Sequence, residues 1–264
     1  MPADYSLYLT TAENAARSAG ELALSMQGRL KNIDFKGEKD IVTEADFACD
    51  AAIRKTLSDA YPSHNIITEE AAAVEMGSEF TWFVDPVDGT VNYSRGFPLW
   101  GVSVGLRKGD AMIAGAIFLP ALGEMYTVTL KGGAYLNGQR IHTSPVAKLA
   151  DAIISHGDFN IGANETERLE MNARNISSRA RMAGAVQRIK CMGSAVLEGA
   201  FVAAGRMDAY CMLAMKPWDV AVAGLLVTEA GGQVSRLDGS PYSIIGPDVL
   251  FSNGLLHQDL LAIL

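Results

Sequence analysis

Asp85 and Asp88 stand three residues apart at the end of the apolar run Trp82-Phe83-Val84, with Pro86-Val87 between them and Gly89-Thr90-Val91-Asn92 behind them. The proline fixes the chain between the acids, so two carboxylates and the Val87 carbonyl can face one point. Hard oxygens gathered in this way are the donors that Mg²⁺ prefers. If Gly89 and Thr90 open a short helix, their N–H groups face the same point and can hold a phosphate oxygen. The stretch reads as a metal and phosphate site. It reads equally as an acidic turn, because Asp-Pro and Asp-Gly are ordinary loop dipeptides.

Further acids stand where elements begin or end. Asn65-Ile66-Ile67-Thr68 is a short strand emptying into Glu69-Glu70. Thr43-Glu44-Ala45-Asp46 has the pattern of a capped helix start, and capping by itself accounts for Asp46. Lys216-Pro217-Trp218-Asp219 opens a helix that is apolar nearly all round and closes at Gly231-Gly232. An acid at that end suits the helix dipole, so capping also accounts for Asp219. Between Ile33 and Val42 the pattern suggests two short strands joined by the exposed, mobile turn Lys36-Gly37-Glu38-Lys39-Asp40, from which Lys36 could visit a phosphate.

The elements that must position these residues fall into two styles. A helix from Tyr5 to Met26 is followed by the capped helix, and Leu99 to Leu106, Ala111 to Leu119 and Glu124 to Leu130 alternate as strands. Asn137-Gly138 marks a hairpin, so residues 1–143 predict an antiparallel sheet with flanking helices and most of the acids. Residues 144–264 alternate strand and helix: strands Ala152 to Ser155, Val186 to Ile189 and Met207 to Tyr210, with helices Glu165 to Ser177 and Ser194 to Ala204 between them. No linker separates the halves, which predicts a single domain of 264 residues with one shared site.

Composition narrows the function. A net charge of −8 disfavours nucleic acid and anionic membrane as general partners. Three cysteines without Cys-x-x-Cys spacing and four scattered histidines indicate neither a disulfide framework nor a zinc site. The start, Met1-Pro2-Ala3-Asp4, lacks a basic segment and a following apolar stretch, which predicts a cytoplasmic protein.

Four segments in order, Asp40 to Asp46, Ile67 to Glu70, Asp85 to Asn92, and Trp218 to Ala221 continuing to Glu229-Ala230-Gly231-Gly232, resemble the inositol monophosphatase family of Mg²⁺-dependent, lithium-sensitive phosphatases. The resemblance spans nearly the whole chain. It implies an α+β fold, the five-layered αβαβα sandwich of the inositol monophosphatase and fructose-1,6-bisphosphatase type, a homodimer, a small phosphorylated metabolite as substrate, and two to three Mg²⁺ ions. By resemblance Glu69, Asp85 and the Val87 carbonyl hold one ion, and Asp85, Asp88 and Asp219 a second. Glu69 also helps to hold a third. Asp46 and Thr90 match the pair that orients or deprotonates the attacking water, while Gly89, Thr90 and Lys36 match the phosphate contacts.

Gly193, Ser194 and Ala195 match a segment that lines the substrate pocket, with Ser194 able to bond a hydroxyl. The sequence departs from the pattern twice. Met212 stands where inositol-selective members carry a glutamate, which makes that wall of the pocket apolar, and Ala71 stands in place of a serine. Histidinol phosphate, fructose 1,6-bisphosphate and nucleotide phosphates are alternative substrates of the same superfamily. A non-catalytic scaffold for RNA or transcription is the alternative of another class.

Overall fold

The computed structural model describes residues 4–30, 32–36, 41–162 and 164–264. The expected turn at residues 37–40 and the start at residues 1–3 lie outside the described residues.

Helix α1 (Ser6–Met26) buries Ala12, Ala15, Ala16, Ala19 and Ala23, a small-residue face that brings its backbone close to what it covers. Strands β1 (Ile33–Phe35) and β2 (Ile41–Thr43) form an antiparallel ribbon leading into α2 (Glu44–Ala60). Seven strands then make one sheet in chain order: β3 (Asn65–Thr68), β4 (Phe80–Asp88), β5 (Gly101–Lys108), β6 (Ala111–Leu119), β7 (Glu124–Thr129), β8 (Gly133–Leu136) and β9 (Gln139–Arg140). Helix α3 (Thr90–Ser94) interrupts the chain between β4 and β5. The sheet is not wholly antiparallel as expected, because β3 runs parallel to β4. That pairing sends the C-terminal ends of both strands, Glu69 and Asp85 to Asp88, to the same edge.

The second sheet contains β10 (Ile153–His156), β11 (Arg188–Lys190), β12 (Ala209–Leu213), β13 (Gln233–Ser235) and β14 (Asp248–Ser252) in the order β11-β10-β12-β14-β13. Helices α4 (Glu165–Ala183), α5 (Ala195–Ala203), α6 (Pro217–Glu229) and α7 (His257–Ile263) complete the chain. α4 outruns the expected end at Ser177. Its buried face is Asn175, Ser178 and Met182, and two polar residues of three hide the apolar period. β12 continues through Leu213 because it pairs with β14 down to Leu213 and Asp248, which places Met212 inside the strand.

Three apolar clusters stack these parts. α1 and α2 pack on one face of the seven-stranded sheet through Ala15, Ile53, Trp82 and Val104. α5 and α6 fill the space between the two sheets with Val196, Val222 and Leu226, which belong to one cluster with Phe251 of β14. Met182 of α4 and Leu260 of α7 pack with Ile154 and Leu250 on the outer face of the five-stranded sheet. The result is the five-layered αβαβα sandwich. Among the described residues no helix is long and apolar enough to cross a membrane.

The central layer fits the first sheet through a dent. Gly105 and Gly115 oppose one another in register on β5 and β6, and Val222 of α6 fills the space that two side chains would occupy. A Cβ at Gly115 would lie 2.8 Å from both Val222 methyls. Gly115→Ala is therefore expected to lower stability by about 1–3 kcal/mol in chemical denaturation, and the added Val222→Ala should recover part of that loss.

Candidate active site

A regular strand points residues three apart to opposite faces, so Asp85 and Asp88 should diverge. They converge because β4 carries one extra residue between them: Asp85 pairs with Ser103 and Asp88 with Gly101 of β5. The bulge spans Pro86 and Val87, and Pro86 has no N–H to give the ladder. Asp219 arrives from the other side, in the first turn of α6. Each of the three acids places a carboxylate oxygen within 4.8 Å of the others.

The carboxylates are held by four donors from three segments. Asp85 Oδ1 accepts from Val87 N–H at 3.1 Å, and Asp219 Oδ2 from Lys216 N–H at 3.1 Å, so Asp219 does cap its helix. Asp88 Oδ2 accepts from Val196 N–H at 2.9 Å and from the Ser194 hydroxyl. Ser194 is buried and also accepts from Leu197 N–H. Its hydrogen is thus committed to Asp88 beneath the site instead of facing a substrate hydroxyl.

Burial is the chief cause that raises the pKa of all three acids. For Asp85 the charges of Glu69, Asp88 and Asp219 push in the same direction. No ion pair among the described residues reaches Asp85, Asp88 or Asp219. Converging like charges with hard oxygen donors, offset only by the Lys216 charge acting on Asp219 without an ion pair, fit a divalent cation.

Glu69 stands at the edge of this cluster. Lys36 Nζ donates to Glu69 Oε1 at 2.8 Å and to Glu70 Oε1 at 2.5 Å. Burial opposes the Lys36 charge, but the two glutamates outweigh it and leave its pKa raised. Glu70 is pushed up to about 7 by burial, which the Lys36 bond only partly offsets. The structure therefore brings Lys36 to the site, resting on acids.

Asp46 serves two neighbours at once. Oδ2 accepts from Thr43 N–H at 2.9 Å, the capping bond read from the sequence, while Oδ1 lies 3.0 Å from Thr90 Oγ1. Thr90 Oγ1 is also 3.0 Å from the Val87 carbonyl. Burial raises the Asp46 pKa against these hydrogen bonds. Gly89 precedes Thr90 with φ +87°, and a Cβ there would meet Leu99 O at 3.0 Å and Gly193 O at 3.1 Å. Only glycine suits that joint.

This arrangement has close counterparts. The model of the inositol monophosphatase family matches residues 4–264. The chain belongs to the inositol monophosphatase family. It is 35% identical over 259 residues to the inositol-1-monophosphatase of Mesorhizobium japonicum, covering 97% of this chain and 95% of that one. It is 34% identical to the fructose-1,6-bisphosphatase/inositol-1-monophosphatase of Aquifex aeolicus, over 97% of this chain and 94% of that one. Among solved structures, the Thermotoga maritima IMPase superposes with a TM-score of 0.88 at 31% identity, covering 97% and 96% of the two chains. The extragenic suppressor protein suhB of Bartonella henselae does so at 0.91 and 28%, covering 98% of each. The family is one of phosphoric monoester hydrolases, and its members depend in general on Mg²⁺.

Asn92, part of the Asp85 to Asn92 stretch, has a supporting role that the sequence did not disclose, and Glu198 escaped the sequence reading altogether. Asn92 Nδ2 donates to Leu99 O and to Met192 O, each at 2.7 Å, and so ties α3 to the segment before α5. Glu198 accepts from Met192 N–H at 2.8 Å and from the Ser155 hydroxyl, and burial pushes its pKa up to about 8. The available signal was a lone acid in the apolar run Ala195 to Val202.

These raised carboxyls set a pH dependence. A carboxyl whose folded pKa exceeds its unfolded value holds a proton that the unfolded chain releases, so stability falls as pH rises between the two values. With Glu70 near 7 and Glu198 near 8 in the fold, against about 4.3 unfolded, the cation-free protein should lose stability between about pH 4 and pH 8. Thermal unfolding in chelator across that range checks the sign. A divalent cation should raise Tm more at pH 8 than at pH 5, because it competes with protons for the oxygens of Asp85, Asp88 and Asp219, whose pKa values are also raised.

Proposed function

We propose that this chain hydrolyses a small polyol or sugar phosphate, in the manner of an inositol monophosphatase, with Mg²⁺ held at Asp85, Asp88, Asp219, the Val87 carbonyl and Glu69. The observation that carries this reading is the convergence of three carboxylates, Asp85 buried and Asp88 and Asp219 half-buried, without an ion-pair partner among the described residues. When bound, Mg²⁺ supplies positive charge for the carboxylates and a phosphate dianion to share, and it acidifies water. Two to three such ions belong to the reading.

The chain's own residues do the rest. Thr90 Oγ1 has one hydrogen and two acceptors at 3.0 Å, so it can give that hydrogen toward Asp46 while its lone pair takes one from water. The raised pKa of Asp46 makes it the stronger base for that proton. Water oxygen bonds to phosphorus as its proton passes by way of Thr90 to Asp46, the ester P–O bond breaks, and the leaving alkoxide takes a proton from a second water. Gly89 and Thr90 N–H groups and Lys36 are assigned to the phosphate oxygens; Lys36 would shift from Glu69 and Glu70 to reach them. Gly193 and Ala195 shape the pocket wall beside Asp88, and Met212 supplies an apolar surface. A cytoplasmic, lithium-sensitive homodimer is the form that the family resemblance supports.

Phosphate release from inositol 1-phosphate, 2-glycerophosphate, histidinol phosphate, fructose 1,6-bisphosphate and 3′-phosphoadenosine 5′-phosphate, with and without Mg²⁺, tests the reading. Turnover should require Mg²⁺ and fall more than about 100-fold in Asp85→Asn, a loss at or beyond that of an outer-shell partner. Asp46→Asn should lower kcat by about 10²–10⁴-fold, as removal of a general base does. A folded protein that turns over none of these substrates would defeat the proposal.

A further inference from the structure

The apolar Met212 leaves open what recognises the leaving group, and the second sheet supplies another candidate. β10, β11 and β12 run parallel, so their C-terminal ends open on one side of the sheet, where ligands of such sheets bind. Three residues emerge there: Asp158 just past β10, Cys191 just past β11, and Met212 near the end of β12. Gly157 N–H continues the ladder by donating to Cys211 O at 2.8 Å, and a Cβ on Gly157 would lie 3.1 Å from Met212 Cγ. Asp158 is therefore the first residue beyond the place where β10 presses on Met212.

Its carboxylate reaches the catalytic side. A Cβ on Gly193 would lie 3.3 Å from Asp158 Oδ2 and 3.2 Å from Asn92 Nδ2, so Asp158 and Asn92 flank Gly193. Gly193 in turn touches Gly89, whose Cβ position is 3.1 Å from Gly193 O. Asp158 Oδ1 accepts from Cys191 Sγ at 3.1 Å, whereas Oδ2 takes no hydrogen bond among the described residues.

The loop behind this acid is fixed. Asn175, itself buried, donates to Asp158 O at 2.8 Å, and Arg179 Nη2 donates to Gly157 O at 2.7 Å. The Arg179 guanidinium stacks on Phe159 at 4.1 Å and makes no ion pair with Asp158 among the described residues. The backbone is thus anchored from the rear while an exposed, uncompensated carboxylate is presented beside Gly193. A site group held by its surroundings loses little freedom when it binds.

From this placement we infer that Asp158 is the specificity-determining carboxylate of the pocket: it accepts hydroxyl hydrogens of a polyol leaving group and repels a leaving group that bears a second phosphate. The inference rests on the phosphatase reading above and names its substrate class. A carboxylate offers two acceptor oxygens to neighbouring hydroxyls, and like charge discriminates against a distal anion.

The test compares kcat/KM for inositol 1-phosphate, phenyl phosphate and fructose 1,6-bisphosphate in the Mg²⁺-loaded wild type, Asp158→Asn and Asp158→Ala. Phenyl phosphate has a ring but no hydroxyls, and it reports the chemical step alone. Asp158→Ala should lower kcat/KM for inositol 1-phosphate about 10- to 100-fold, mainly through KM, and leave phenyl phosphate within about threefold. Asp158→Asn should raise kcat/KM for fructose 1,6-bisphosphate relative to inositol 1-phosphate. Losses that are equal for all three substrates, or no change in any ratio, would overturn the inference while leaving the phosphatase reading standing. If the wild type releases phosphate from none of the three, the phosphatase reading itself fails and this inference falls with it.

Discussion

Buried like charge governs this molecule. Asp85, Asp88 and Asp219 have oxygens within 4.8 Å of one another, Asp85 buried and the other two half-buried, so each destabilises the ionised form of the others. The fold tolerates them by aiming N–H and O–H donors at their oxygens: Val87 N–H at Asp85, Ser194 and Val196 at Asp88, Lys216 N–H at Asp219. Those bonds orient the carboxylates without cancelling the charge. The charge that remains is what a cation and a phosphate dianion require.

The same constraint explains why the site lies where the two halves meet. One sheet alone would have to turn all three acids out of its own edge. Instead the β4 bulge supplies two, and α6, packed between the sheets, supplies the third. The join is made by small groups. Gly89 allows the backbone of Gly193 to approach, and the Asn92 amide ties α3 to Met192. Glu198 holds the far side of that segment through Met192 N–H and Ser155. These contacts thereby set the distance between metal-facing and substrate-facing walls.

Helix ends in this chain carry double duties. Asp46 caps α2 and reaches Thr90; Asp219 caps α6 and joins the acid cluster. A carboxylate has two oxygens, so capping with one leaves the other for chemistry. The capping explanation and the functional one are compatible at both positions.

What the sequence determined by itself was local. The alternation and breaks around β3 to β9, the Asn137-Gly138 hairpin, the capped start of α2 and the apolar α6 follow from short-range periodicity and turn chemistry, and the ordered acidic segments disclosed the family. Tertiary structure alone decided the rest, because it depends on contacts between residues far apart in the chain. The parallel pairing of β3 with β4 is set by a neighbour, as is the extension of β12 through Met212. The polar buried face of α4 had no apolar period to read. Ser194, which looked free to meet a substrate, proved to be spent on Asp88, 106 positions away. Asp158 belongs to no motif, and only the convergence of three parallel strand ends brings its carboxylate beside Gly193.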